Sequence, residues 1–394
     1  MQHHRRHVIL YTLIRALIRP FFYLRFNYTC ERVYPKGKPF LLICNHTTLL
    51  DPAFVGLSFK AFTYPVASAH LSGKDFASKI LDFIFAPIYR IKTSSDLTTV
   101  KKIVKTMKEG HNVCLFAEGQ RTSNGVSLRI SEATGKLVKL CKCSLVTYRL
   151  DGGYFTHPRW AKYCRRGKMY GHKVNEYSSE QLSKMSVEDI NALIASDLYE
   201  NAYEKQKTEM TAYKGKALAQ DLESALYICP NCHALSRLHS HGDNFECDDC
   251  GMKLSMDEYG YMHPTDGYDG KYIDNVLGWD IWQKNKLRAL SAEFNGYPAD
   301  KAITFDENQY LSSNSSQDEL SGALYCYKDR FTFKDINGNI RDFQFSDIVE
   351  IEGIGRMNMI FSTAKDVFTI KTKTPRSAFK YIDIYHTITS TPFK

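Results

Sequence analysis

No secretory signal, an uninterrupted apolar core followed by a small-residue cleavage site, is visible near the start of the chain. Its eleven cysteines are accordingly expected as reduced thiols in a cytosolic setting. Also missing is the run of about 20 apolar residues that a membrane-spanning helix needs. The nearest approach, VILYTLIRALIRPFFYLRF at 8–26, is broken by Arg15, Arg19 and Arg25, so a transmembrane segment is not expected. Acidic residues are scarce in one half only. Residues 1–173 hold 9 Asp and Glu against 29 Lys and Arg, a balance of +20, whereas residues 174–394 hold 34 against 23, a balance of −11. A field so lopsided points to an anionic partner for the first half: phospholipid headgroups, a phosphorylated substrate, an acidic carrier or nucleic acid. A merely solvated basic face is the plainer alternative. Disorder is not indicated, because 394 residues with 43% hydrophobic and 24% charged side chains can bury the cores of two or three domains.

What the arginine-broken stretch does have is helical spacing. Leu10, Leu13, Ile14, Leu17 and Phe21 recur on one side, Thr12, Arg15 and Arg19 fall on the other, and Arg5 and Arg6 lie upstream. The spacing predicts a basic amphipathic helix within residues 1–30. Such a helix either lies in a bilayer interface with its arginines on anionic headgroups, or packs its apolar face on the protein's own core.

Beyond it, short apolar runs alternate with helical patterns: FLLIC (40–44), YPVASA (64–69), NVCLFA (112–117) and SLVTYRL (144–150) read as buried strands. SDLTTVKKIVKTMKEG (95–110) has a Ser cap, apolar Leu97, Val100, Ile103, Val104 and Met107, and a terminal Gly110; a further helix carries Ile130, Ala133, Leu137 and Leu140 on one side. The fold class expected is α/β, a mainly parallel sheet flanked by helices. Residues 179–227, proline-free from 180 to 226, read as a helical connector, and 272–292, with Trp279 and Trp282, as another helix. From about residue 302 the pattern turns to period two, with Asn337-Gly338 predicting a hairpin and PRSAFKYIDIYHTI a closing helix started by Pro375. Several antiparallel strands plus one C-terminal helix over 300–394 resemble the pleckstrin-homology and GRAM fold, an architectural resemblance that implies no particular ligand.

Chemistry concentrates at the ends of two strands. In LLICNHTTLLDP (41–52), His46 and Asp51 are five residues apart, which on a continuous helix would leave them about 140° out of alignment. They meet only if the chain bends, and Pro52 gives a reason for a bend; alternatively Asp51 is simply the N-cap of a helix. FAEGQRTSNG (116–125) stands at the carboxyl end of another strand, where ligand sites of open α/β sheets collect. Glu118, Gly119 and Arg121 offer a carboxylate, a flexible backbone and a guanidinium suited to a phosphate monoester, and Arg90 and Lys92 in APIYRIKTSSD (86–96) add positive charge.

Asn45-His46, four residues and Asp51, followed by the FAEGQR block, resemble the glycerolipid acyltransferase family, specifically 1-acyl-sn-glycerol-3-phosphate acyltransferases. These carry a His, four residues, Asp motif and a later Phe-Pro-Glu-Gly-x-Arg motif. The resemblance spans roughly residues 15–170 and implies an acyltransferase domain at 31–178. It departs at Ala117, where the family has proline, and at SLVTYRLDGG, which lacks the proline expected after an apolar run; acyl-chain selectivity and acceptor identity are the properties most affected. The resemblance implies that His46 is a general base on an acceptor hydroxyl and that Asp51 holds its tautomer, with direct attack on an acyl thioester and no acyl-enzyme. It further implies substrate contacts by Asn45, Glu118, Gly119 and Arg121, the last on the phosphate, with Arg90 assisting. The implied acceptor is lysophosphatidic acid, the product phosphatidic acid, and the donor acyl-CoA or acyl carrier protein thioester (acyl-ACP), acyl carrier protein then being a partner. A peripheral position on an anionic membrane surface at the cytoplasmic face follows. The alternatives are another lysophospholipid or hydroxyl acceptor, or a lipid-binding adaptor without enzymatic activity.

CPNCHALSRLHSHGDNFECDDCG sets Cys229 and Cys232 two residues apart, then after a 14-residue gap Cys247 and Cys250. Paired knuckles of this kind place four thiolates about a structural Zn2+, so a zinc ribbon is expected at 228–254. Disulfides are the alternative. Acidic residues outnumber Lys and Arg across 243–258, so nucleic-acid binding is not expected. Cys44 and Cys114, inside apolar strands, read as buried packing.

Overall fold

The computed structural model describes residues 3–69, 76–90, 97–291, 297–307, 319–372 and 379–389. Lys92, the Ser cap at 95 and Pro375 therefore lie outside the described residues. The chain divides into two units, one of Met1–Arg159 with Cys164–Lys214, the other of Trp160–Tyr163 with Gly215–Lys394.

The first unit runs α1 (His4–Phe26), β1 (Tyr28–Cys30), β2 (Phe40–Cys44), α2 (Asp51–Ser58), β3 (Thr63–Ser68), α3 (Phe76–Phe85), β4 (Ile88–Arg90), α4 (Leu97–Lys108), β5 (Asn112–Phe116), α5 (Ala133–Cys141), β6 (Ser144–Asp151), α6 (Gly153–Thr156), β7 (Met169–Tyr177), α7 (Ser179–Ser183), α8 (Val187–Leu198) and α9 (Ala202–Glu209). Its strands form one sheet in the order β1-β7-β6-β2-β5-β3-β4. Every pairing is parallel except that of β6 with β7. The expected mainly parallel sheet flanked by helices is what forms. β2 lies between β6 and β5, and its unbroken apolar run follows from that position, because helices cover both faces of a parallel sheet. Leu41 and Ile43 pack with Val113, Leu137, Ile190 and Ile194 on one face, while Phe40, Leu42 and Cys44 meet Phe54, Val146 and Tyr148 on the other. A one-residue slip would exchange the two faces, so two separate cores fix the register that places Asn45 and His46 at the strand end.

Residues 179–227 are not one connecting helix. Ser178 and Ser186 form capping boxes with Gln181 and Asp189, starting α7 and α8 as separate helices. Leu182, Ile190, Ile194 and Leu198 are buried in the core of the sheet, so the stretch as far as Lys214 completes the first unit, and residues 215–227 belong to the second. After Glu209 the only helical piece before residue 227 is a 3-10 turn at Leu222–Ser224.

Helix α1 also differs from its sequence reading. Its 23 residues have a mean hydropathy of 1.3 over the best window and pass the length and composition test for crossing a membrane, despite the arginines. In the structure it lies along the first unit through His7, Tyr11, Phe22 and Phe26. Arg15 and Arg19 are on this inner side: their guanidinium groups donate to the carbonyls of Phe59 (2.9 Å) and Leu57 (2.6 Å), and Tyr11 donates to those of Gly56 and Phe59. These are the unpaired carbonyls at the end of α2, where cationic donors are favoured. The arginines therefore cap a helix of their own protein, and Ile9, Leu13, Leu17, Phe21 and Leu24 form the exposed side.

The second unit begins with four antiparallel strands, β8 (Leu238–His241), β9 (Asn244–Cys247), β10 (Lys253–Met256) and β11 (Met262–Pro264), which extend past the expected ribbon end at 254. Helix α10 (Val276–Ser291) follows, then β12 (Tyr297–Glu307), β13 (Glu319–Cys326), β14 (Arg330–Asp335), β15 (Ile340–Gln344), β16 (Glu350–Ile354), β17 (Asn358–Ser362), β18 (Val367–Thr372) and α11 (Phe379–Ile388). A meander of four strands and one of three join where β12 pairs with β18, giving the order β15-β14-β13-β12-β18-β17-β16. The Asn337-Gly338 hairpin forms between β14 and β15, with Gly338 at φ 88°. Tyr381, Ile384 and Tyr385 of α11 pack with Phe331, Phe345 and Phe361 of this sheet.

Candidate active site

His46 and Asp51 meet across the bend between β2 and α2. The imidazole Nδ1 is 2.8 Å from Asp51 Oδ2, and the ring lies 4.7 Å, centroid to centroid, from that of Phe116 at the end of β5. Asp51 is fully buried, and its carboxylate also accepts from the backbone N–H of Thr47 (2.6 Å) and Thr48 (2.9 Å) and from both threonine hydroxyls. An ionised carboxylate only accepts, so the shared proton sits on Nδ1 and the lone pair on Nε2. Asp51 is not the N-cap of α2. That position is Leu50, Asp51 is already helical, and its side chain turns back onto residues 46–48, a placement the positive end of the helix also favours. The two threonines were not singled out in the sequence, although a Thr pair just before Asp is the residue type that bonds back to a local carboxylate.

Glu118 reaches the same strand end from the loop after β5. One oxygen accepts from the backbone N–H of His46 (2.9 Å), the other from that of Leu128 (2.7 Å). Asn45, next to His46, is also turned inward: its amide accepts from the N–H of Leu150 and donates to the carbonyl of Leu150 and to Glu200 Oε2 (3.3 Å). Both side chains were read by resemblance as substrate contacts, yet Asn45 is 0% exposed and the polar groups of both engage protein partners. Glu200 itself, in the connection between α8 and α9, was missed, since no local pattern ties it to Asn45 across 155 residues.

Gly119 adopts φ 73°, a left-handed turn that a side chain would strain, and Arg90 Nη1 lies 3.7 Å from where a Cβ would stand. Arg121 is half-buried in the same loop, which abuts the site through the Thr122 N–H and the His46 carbonyl (3.4 Å). Arg159, buried and also not anticipated, braces that loop by donating to the side chain of Gln120 (2.9 Å) and the carbonyl of Arg121 (3.1 Å).

In the second unit the four sulfurs of Cys229, Cys232, Cys247 and Cys250 lie within 4.8 Å of one another. Cys229 and Cys250 are 3.7 Å apart, as are Cys232 and Cys247. Four thiolates at Zn–S distances of about 2.3 Å on a tetrahedron would stand about 3.8 Å apart, so the arrangement fits a metal ion, and it is too wide for disulfides. The two knuckles are built alike: the His233 N–H bonds the Cys229 carbonyl, the Gly251 N–H bonds that of Cys247, and both residues have φ above 60°.

Residues 25–151 match the family model described as Acyltransferase, so this stretch carries an acyltransferase domain. Among solved structures the chain is similar to the 1-acyl-sn-glycerophosphate (LPA) acyltransferase PlsC from Thermotoga maritima, at 14% identity and a TM-score of 0.44, over 53% of this chain and 85% of that one. It is also similar to the C-terminal domain of an unknown protein from Leishmania infantum, at 11% identity and a TM-score of 0.17, over 30% and 97% of the two chains. Scores of this size do not establish a shared fold.

Burial pushes the Glu118 carboxyl up to about 8 from 4.5, against the two backbone N–H bonds that pull it down. In the folded chain it keeps a proton that the unfolded chain has already released, so it makes stability fall as pH rises from about 4.5 to about 8, and level above. Glu118→Gln should flatten the decline of Tm across that window. An unchanged slope would show that the carboxylate does not titrate there.

Proposed function

We propose that this chain transfers a fatty acyl group from an acyl thioester, of coenzyme A or acyl carrier protein, to the free hydroxyl of 1-acyl-sn-glycerol 3-phosphate, forming phosphatidic acid. The observation that carries the reading is the 2.8 Å contact of His46 Nδ1 with buried Asp51, inside the segment that matches the acyltransferase family. Nε2 of His46 removes the hydroxyl proton, the freed oxygen attacks the thioester carbonyl carbon, and Asp51 stabilises the imidazolium. Collapse of the tetrahedral intermediate breaks the C–S bond, and the imidazolium returns its proton to the departing thiolate. Arg121 receives the acceptor phosphate, with Arg90 beside Gly119 as the second cation. Asn45 and Glu118 position the loop that carries His46 and do not touch the substrate.

The exposed side of α1 supports a peripheral position on an anionic membrane. Leu13, Leu17 and Leu24 are 63%, 77% and 67% exposed, and Ile80, Leu81 and Phe83 of α3 are exposed as well. With Arg15 and Arg19 engaged inward, contact with lipid falls to the apolar stripe and not to these arginines. In the second unit the convergence of four sulfurs within 4.8 Å supports a structural zinc: four cysteines would close the coordination sphere and leave no position for substrate. The metal would hold a ribbon whose own core is small. The two meanders closed by α11 support a pleckstrin-homology or GRAM-like reading of residues 300–394.

His46→Ala should lower turnover by on the order of 10² to 10⁴ with the fold intact. Release of thiol from acyl-CoA in the presence of lysophosphatidic acid measures it, and a variant that keeps most of its turnover contradicts the assignment. A panel of unphosphorylated and headgroup-bearing lysolipids in the same assay identifies another acceptor if one is preferred, and a wild type that binds vesicles but transfers nothing would make the chain an adaptor. Arg121→Lys should weaken use of the phosphorylated acceptor selectively, because an ammonium cannot reproduce a bidentate contact; an equal loss on unphosphorylated acceptors refutes the phosphate role. For the membrane, Leu17→Glu should reduce partition onto anionic phospholipid vesicles about ten-fold or more, given about 2 kcal/mol for one buried leucine. Unchanged sedimentation with vesicles excludes the stripe. Elemental analysis of the purified chain should find zinc, and a strong chelator should abolish hydrogen-exchange protection over 229–264; protection that survives chelation argues against a structural ion.

A further inference from the structure

Glu200 stands outside the segment that matches the acyltransferase family, yet it takes part in a closed circuit around the end of β2. Its Oε2 accepts from the Asn45 side chain at 3.3 Å and its Oε1 from the N–H of Gly152 at 3.0 Å, so it joins the end of β2 to the end of β6. Its own N–H donates to Ser127 Oγ and its carbonyl accepts from the Ser127 N–H, each at 2.9 Å. The neighbouring Leu128 N–H donates to Glu118, whose other oxygen holds the N–H of His46. Consecutive residues of the strand end, Asn45 and His46, are thus gripped by two buried glutamate carboxyl groups from separate loops, and those loops are bonded to each other.

We propose that Glu200 is a positioning residue for His46, acting through the Asn45 side chain. The Asn45 amide has a fixed sense: its oxygen faces the Leu150 N–H, so its NH2 must find acceptors, and Glu200 provides one at the point where the backbone leaves the sheet. Without that acceptor the Asn45 NH2 keeps only the Leu150 carbonyl, and the strand end loses its tie to the segment that carries Glu200. An imidazole that must stay aligned with both Asp51 and an incoming hydroxyl loses rate steeply when it shifts, by about 100-fold for an ångström of misplacement. The kinetic part of this proposal rests on the acyl-transfer reading; the placement of the His46 ring does not.

The test uses the full chain with three variants, Glu200→Ala, Glu200→Gln and Asn45→Ala. Glu200→Ala should lower kcat about 10- to 100-fold with KM for the acceptor changed by less than about three-fold. Glu200→Gln keeps the shape but only one acceptor oxygen, and should fall between Ala and wild type; it decides the matter if the alanine variant does not fold. Because the two residues act along one path, Asn45→Ala combined with the Glu200 variant should be no slower than the slower single variant. Wild-type kcat in Glu200→Gln and Glu200→Ala, or losses that multiply in the double variant, would overturn the proposal. Nitrogen-15 NMR of the histidines supplies a readout that needs no turnover: the Nδ1–H resonance of His46 should shift in Glu200→Gln while those of the histidines in the second unit stay in place. An unmoved resonance overturns the proposal, whereas a shifted one in a protein that transfers no acyl group leaves it standing and refutes the proposed function instead.

Discussion

The carboxylate of Asp51 is the point on which the bend between β2 and α2 depends. Buried away from water, it is tolerable only because backbone N–H groups, two threonine hydroxyls and the His46 ring all donate to it. Those same bonds make the chain turn between β2 and α2, so the group that would tune the histidine also builds the bend that brings it close. Helix α2 is then fixed at both ends, by Asp51 at its start and by Tyr11, Arg15 and Arg19 of α1 on its last carbonyls. A charge-capped helix is an anchor against which a histidine can be held.

The sheet supplies the rest of the constraint. Strand ends of a parallel sheet lie side by side, so loops distant in sequence can all reach the end of β2. Glu118 comes from the loop after β5 and Glu200 from the connection between α8 and α9, and their carboxyl groups are buried and hydrogen-bonded to neighbouring loops. Burial pushes both carboxyls up to about 8, which shows how much solvation each gives up to occupy its place. Polar groups placed at that cost belong where geometry matters most, beside His46.

Much of this was legible in the sequence where the signal is local. FLLIC is a strand over the same residues, 40–44, because a fully buried central strand needs an unbroken apolar run. The Asn-Gly hairpin formed because two consecutive residues suffice to specify it, and the cysteine spacing led to four converging sulfurs. What escaped was non-local or hidden by a stronger pattern. The antiparallel β7 and the Glu200 to Asn45 contact have no short-range signature. Arg15 and Arg19 matched the pattern of a lipid-facing basic side, but the helix end beneath them offered carbonyl acceptors, and the apolar stripe turned outward. In the stretch 179–227 the absence of proline masked the serine cap at Ser186, which starts a second helix after α7; Leu182, Ile190 and Ile194 of the two helices lie in the core.

The central claim is that His46 and Asp51 work as a base and its orienter. Asp51→Asn keeps the shape of the side chain while removing its charge and replacing one acceptor oxygen with a donor, so the imidazole would no longer be held in the tautomer that leaves Nε2 free. Turnover of acyl-CoA with lysophosphatidic acid, measured as thiol release on a variant shown by its Tm to be folded, tests this most directly. The account predicts a fall in kcat on the order of 10³-fold or more. A folded Asp51→Asn enzyme with turnover near that of the wild type would contradict it.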